Sequence, residues 1–192
     1  MIRARLALVA RLALVARLAL VAWLALAGGA CRGEPAPLAV RSEVLKEMQP
    51  IPLAHVCKAS RAAPDPADTQ IFGTSPPLAW DTPPAGTRAV AVTMVDPDAE
   101  GFVHWAVILP AGTTSLAGGA LPAGARELDN GYQKPGYGGP CPPPGPAHRY
   151  VVTVHALDGA PAEGKDAYAT VRAIDKATVA RGSITVLHQR AP

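Results

Sequence analysis

The strongest alternation of apolar positions runs from Arg88 to Val95, where Val90, Val92 and Met94 fall on one side and Ala91, Thr93 and Val95 on the other. Period two marks a strand, and because both sides are largely apolar the pattern predicts a central strand covered on both faces. Asp96-Pro97 ends it, since proline lacks the ladder donor. Trp105 to Leu109 reads as a second strand closed by Pro110, Tyr150 to Leu157 as a third, and Ser183 to His188 as a fourth. From Asp166 to Val179 the period changes: Val171, Ile174 and Ala177 recur every three residues with Gly182 beyond the end, which predicts one helix. Leu53 to Trp80 is mostly loop with a strand at either end. Short apolar runs between turn signals, with 21 prolines and 18 glycines concentrated in loops, predict an all-β or mostly-β domain.

The first thirty residues follow neither period. Arg-Leu-Ala-Leu-Val-Ala runs three times without change from Arg5 to Ala22, too short a unit for a solenoid. Leu18 to Ala30 then carries no charge over 13 residues, which suits the apolar region of a signal peptide and falls short of the ~20 needed to cross a bilayer. An uncleaved anchor would have to bury Arg11 and Arg17, at ~2.5 kcal/mol or more each. Residues 1–30 are therefore read as a signal peptide, 31–45 as a tether and 46–192 as one domain. Leu26-Ala27-Gly28-Gly29-Ala30-Cys31 resembles a bacterial lipobox, with Cys31 as the lipid-modified residue, although Gly28 stands where that pattern has Leu, Val or Ile. Ala25-Leu26-Ala27 also satisfies the small-x-small rule of ordinary signal cleavage. The expected location is the cell envelope, membrane-anchored in the first case, periplasmic or secreted in the second.

Charge sharpens this picture. The chain has 18 basic and 15 acidic residues, but Arg3, Arg5, Arg11 and Arg17 all precede the first acid, Glu34. Without those four the balance is about −1, so the domain lacks the electrostatic footprint of a nucleic-acid binder.

Candidate chemistry clusters where strands end. Asp96-Pro97-Asp98 closes the central strand and His104 opens the next. The loop Gly138-Gly139-Pro140-Cys141-Pro142-Pro143-Pro144-Gly145 leads at once into His148-Arg149-Tyr150. Its prolines fix φ and make a pre-ordered wall, and its paired glycines allow close approach to the backbone. If the two strands are neighbours, carboxylates and imidazoles meet at one sheet edge, an arrangement suited to a phosphate or carboxylate. Asp96 is read as a turn cap or a pocket residue. Asp98 is read as a turn-former whose carboxylate caps backbone donors. His55, His155 and His188 have no motif around them and read as structural or exposed. Asp96, His104 and His148 could in principle hold a metal, but no recognised ligand spacing appears.

At these residues the chain resembles the phosphatidylethanolamine-binding proteins, in their bacterial Raf kinase inhibitor-like branch. The resemblance spans about Pro52 to Arg190. It rests on Ser75-Pro76-Pro77-Leu78-Ala79-Trp80, Pro84-Ala85-Gly86-Thr87, Val95-Asp96-Pro97-Asp98-Ala99, His104-Trp105, Gly136 to Gly145, His148-Arg149-Tyr150 and Ala180-Arg181-Gly182-Ser183-Ile184-Thr185, in that order. It implies an antiparallel β-sandwich with one helix toward the C-terminus, long Pro/Gly-rich loops and a small anion pocket at one end. Asp96 and His104 would line the pocket from one side, His148 and Tyr150 from the other, with Gly139 and Pro142 as its rim. The chain departs from the family pattern at Glu100, where proline is usual. It departs again at Phe102-Val103, where a tryptophan-bearing loop is common, and in an insertion of roughly Ala59 to Gly73.

Cys57 and Cys141 remain once Cys31 is assigned to the lipid. Two cysteines in an oxidising compartment invite a disulfide, with two free buried thiols as the alternative. The reading that results is a non-enzymatic, cofactor-free binding protein for a small anion or phospholipid head group, held to a membrane by its lipid. The alternatives are a protein-docking inhibitor of an envelope enzyme such as a protease, whose partner no residue pattern identifies, and a hydrolase using Asp96 and His148. The hydrolase reading lacks a Gly-x-Ser-x-Gly elbow or a nucleophile beside a histidine.

Overall fold

The computed structural model describes residues 33–57, 73–160 and 164–190. The expected signal peptide, Cys31 and most of the inserted segment lie outside those residues. The predicted central strand is present as Ala89–Asp96 (β4). It pairs antiparallel with Phe102–Pro110 (β5) on one side and His148–Leu157 (β8) on the other. Thr178–His188 (β9) extends the sheet beyond β8. Short edge segments finish it: Ala36–Pro37 (β1) runs parallel to β9, and Arg126–Glu127 (β7) pairs with β5. The order is β1-β9-β8-β4-β5-β7. A second sheet of Val40–Arg41 (β2), Leu78–Trp80 (β3) and Ser115–Leu116 (β6), in the order β2-β3-β6, completes the sandwich.

The two apolar faces of β4 meet different layers. Val90, Val92 and Met94 join Trp105, Val107, Leu109, Val152 and Val154 in the core beneath the second sheet, which contributes Leu78, Trp80 and Leu116. Ala89 and Ala91 face a smaller core with Ala106, Leu157 and Ile174. Ile174 belongs to the single helix among the described residues, Ala167–Ala177 (α1). Asp166 caps α1 by accepting the Ala169 N–H at 2.7 Å, leaving fewer backbone donors of the first turn unsatisfied. Ala167, Thr170 and Ile174 form its buried stripe, with Val171 and Ala177 packed at the margin. A mostly-β sandwich with one helix is thus the fold observed.

Two local expectations change. The Leu53 end of the long loop is one 3-10 turn, Leu53–His55, not a strand, while its Trp80 end is β3. The stretch read as a tether over 31–45 enters the domain at Pro35. Leu38 and Leu45 lie in the core, and the Leu38 N–H donates to Arg181 O at 2.9 Å. Too few apolar residues alternate there for a period to show, and edge strands of two residues carry almost no pattern. Gly182 explains why this close pairing is possible: a Cβ on it would collide with the Leu38 carbonyl.

Candidate functional site

β4, β5 and β8 converge at one end of the large sheet, and the candidate residues lie there. β4 stops at Asp96 and turns through the 3-10 turn Pro97–Ala99. Asp96 Oδ1 accepts the N–H groups of Asp98 and Ala99 at 2.8 and 3.1 Å, while Oδ2 accepts Nδ1–H of His148 at 2.8 Å. Turn cap and pocket residue were alternatives in the sequence. One buried carboxylate does the capping with one oxygen and holds an imidazole with the other. Its negative charge is thereby spent on a turn and a ring, and His148 keeps Nε2 for contacts beyond Asp96.

Asp98 clamps this turn to β8. Its Oδ2 accepts the backbone N–H of Arg149 at 2.8 Å and Nε–H at 3.0 Å, and Oδ1 accepts an Nη2–H at 2.6 Å. The Arg149 side chain, then its backbone N–H, hold the Asp98 carboxyl down at about 2. Asp98 therefore caps a backbone donor, as its position suggested, and sits outside the pocket lining.

His104 reaches the site through a β-bulge. Met94 pairs with Trp105 and Val95 with Val103, so His104 is the extra residue on β5. A bulge re-aims side chains, and here it frees His104 from strict alternation with Trp105. Nδ1–H of His104 donates to Gly138 O at 2.9 Å, and the Gly138 N–H donates back to His104 O at 2.8 Å. A carbonyl can only accept, so Nδ1 carries the proton and Nε2 keeps its lone pair. Burial lowers the pKa of this ring below the ordinary histidine value, only partly opposed by the Gly138 bond and the Asp96 charge.

These groups line a cavity of about 170 Å³ together with Ala99, Phe102, Tyr132, Cys141, Pro142, Pro143 and Tyr150. Tyr150 is fully buried, and its hydroxyl completes no well-formed hydrogen bond among the described residues, although the Asp96 carboxylate draws on it. Burial, then the nearby Asp96 charge, push its ionisation far above the ordinary tyrosine range, so it is an O–H donor at any ordinary pH. A buried donor left unmatched costs ~1–3 kcal/mol, and a ligand acceptor would recover that. Of the six ligand candidates, Asp96, His104, Pro142, His148 and Tyr150 line the cavity, and Gly139 does not. A Cβ at Gly139 would strike Cys57 N and Val56 C at 2.6 and 2.7 Å, so its missing side chain admits the Cys57 backbone.

Cys57 and Cys141 are disulfide-bonded, with Cα atoms 5.5 Å apart. The histidines without motifs are all buried. His55 bonds Thr74 O at 2.7 Å, and His155 lies between Thr93 and Thr178. His188 is directly across from His148 in the β8–β9 register and leaves Nε2 unmatched among the described residues. Sequence reasoning missed Tyr132. Its ring stacks edge-on with Phe102 at 4.8 Å, and its turn is set by Asn130, which accepts the Tyr132 N–H and donates to Gly136 O. The run Asn130-Gly131-Tyr132 was the available signal, because Gly131 is where the Phe102 ring needs room.

The family model described as phosphatidylethanolamine-binding protein matches residues 41–189. The Escherichia coli protein YbhB is 48% identical over 94 residues, 44% of this chain and 60% of its own length. The proposed lipoprotein LppC of Mycobacterium tuberculosis is 37% identical over 125 residues, 63% of this chain and 56% of its own. The chain thus spans a little over half the length of these curated relatives. Among solved structures, E. coli YbcL, described as a member of the mammalian PEBP family, superposes with a TM-score of 0.67 at 30% identity, covering 80% of this chain and 99% of that one. A homologue from Chlamydia trachomatis gives 0.64 at 25%, covering 80% and 97%.

Proposed function

This chain belongs to the phosphatidylethanolamine-binding protein family, and from that premise we propose that it is a non-enzymatic binding protein of the cell envelope whose pocket takes a small anion, a phosphate or the phosphate of a phospholipid head group. The observation that carries the reading is the cavity beside Asp96, where the buried, unmatched Tyr150 hydroxyl and the outward nitrogens of His104 and His148 converge. In a space of about 170 Å³ walled by Pro142 and Pro143, the Tyr150 hydroxyl offers an oxyanion a donor, and the Nε2 lone pair of His104 can accept the O–H of a hydrogen phosphate or take up its proton. The aromatic rings of Phe102 and Tyr132 also line the cavity and suit an organic substituent on that phosphate. Export through residues 1–30 and a lipid on Cys31 belong to the same proposal, supported by the lipoprotein description of the relative LppC.

The test is a thermal-shift panel. Phosphate and phosphoethanolamine should raise Tm, by roughly 2.7 kcal/mol of apparent stability at a hundredfold excess over Kd. His148→Ala should abolish the shift. A panel of anions that leaves Tm unmoved would overturn the reading.

A further inference from the structure

We propose that the Cys57–Cys141 disulfide is a redox lock on the anion pocket: opening it with a dithiol weakens anion binding, and a bound anion in turn protects the bond. The inference rests on the pocket reading above and concerns its control. Cys141 lines the cavity itself, as do Pro142 and His148. Its partner is fully buried. The chain around the two cysteines belongs to neither sheet. Among the contacts that hold it are the Cys57 N–H to Pro140 O at 3.1 Å, the Tyr137 hydroxyl to His55 O at 2.8 Å, and the close fit of Gly139 against Val56 and Cys57. The disulfide is the covalent member of that set and joins residues 84 apart in sequence.

The same loop holds His104. Gly138, three residues before Cys141, accepts the Nδ1–H that keeps Nε2 of His104 bare. Reduction breaks the Sγ–Sγ bond; two electrons and two protons come from the dithiol, which closes to its own cyclic disulfide, and two thiols remain. Bonded sulfurs sit about 2 Å apart, whereas unbonded heavy atoms repel inside about 3.5 Å. One cysteine must therefore shift by more than an ångström. Cys57 is enclosed, so the movement falls on Cys141, which lines the cavity of about 170 Å³, and a shift of that side chain reshapes the pocket. Because coupling between two equilibria is reciprocal, an anion that prefers the closed bond must make that bond harder to reduce by the same factor.

Two measurements test this on the folded chain, with inorganic phosphate as the probe. Calorimetric titration of the oxidised chain and of the chain reduced with dithiothreitol should show a Kd at least tenfold weaker after reduction. The midpoint potential of the disulfide should fall in saturating phosphate by about 30 mV for each tenfold, and His148→Ala should erase that shift. Equal affinities with an unmoved potential would overturn the lock while leaving the pocket reading intact. An oxidised chain that fails to bind phosphate would overturn the pocket reading first. Far-UV circular dichroism decides the remaining case: a reduced chain that loses its β signal refutes the lock, because the bond would then be a staple of the whole fold.

Discussion

Acid should destabilise this domain through His155, and the size of the effect follows from its surroundings. The ring is 2% exposed between β4, β8 and the end of α1. Thr178 donates its hydroxyl to Ile174 O at 2.8 Å, so toward His155 it can only accept, and Nδ1–H must be the donor at 3.1 Å. Nε2 then accepts from the Thr93 hydroxyl at 3.0 Å. Every site of the neutral ring is matched, and a second proton would have to displace the Thr93 bond. Asp175 offers little relief, since its half-exposed carboxylate is 3.9 Å away, and Arg181 opposes a further positive charge. Burial first, then Arg181, lower the folded pKa to about 4 from the ordinary 6.5. Above pH 6.5 neither folded nor unfolded chain binds the proton, and His155 contributes nothing to the pH dependence. Below it the unfolded chain binds the proton and the folded one does not, so stability falls until pH reaches the folded value. The gap is worth about 3 kcal/mol, a large part of a domain's usual 5–15. Urea denaturation of the native chain and of His155→Gln between pH 7 and pH 4 isolates it, because carboxylates and the other histidines contribute equally to both. The native chain should lose about 3 kcal/mol more than the variant over that range. Parallel pH profiles would refute the reasoning, as would a folded His155 that titrates near 6.5 by NMR.

Other outcomes follow from the same structure. Since burial keeps His104 neutral, a bound anion should draw a proton onto Nε2, so sulfate, which does not itself titrate here, should bind more tightly at pH 5.5 than at pH 8. Calorimetry in buffers of different ionisation enthalpy would read that proton uptake, and His104→Asn should remove it. Gly182→Ala should cost about 1–3 kcal/mol by forcing the Leu38 carbonyl away from β9, and urea midpoints would register the loss. An unchanged midpoint would mean that the segment Ala36–Arg41 is not seated as described.

The strands β4, β5, β8 and β9 and the helix α1 were legible because each is long enough for its period to show and each buries at least one face. The edge segments β1, β2, β6 and β7 were not, since two residues cannot display an alternation and their pairing comes from partners far away in sequence. Asp96, His104 and His148 stand out in the sequence as polar groups where strands end, whereas the pocket role of these three and of Pro142 and Tyr150 is what the family resemblance implied.

Their relations could not be read from sequence. Whether Asp96 capped a turn or faced a pocket was undecidable from one dimension, because the answer depends on which backbone and which ring lie within 3 Å of each oxygen. The bulge that turns His104 inward is a mismatch between two strands and leaves no trace in either alone. Gly139 was assigned to a ligand by its motif, and only the approach of Cys57 revealed what needs the space. Sequence alone marked candidate polar residues at strand ends and the segments that bury apolar faces, since both follow from residue type and local period. The tertiary structure decided which donor meets which acceptor, because a hydrogen bond is a matter of a few tenths of an ångström between residues far apart in the chain, 138 positions for Glu47 and Thr185.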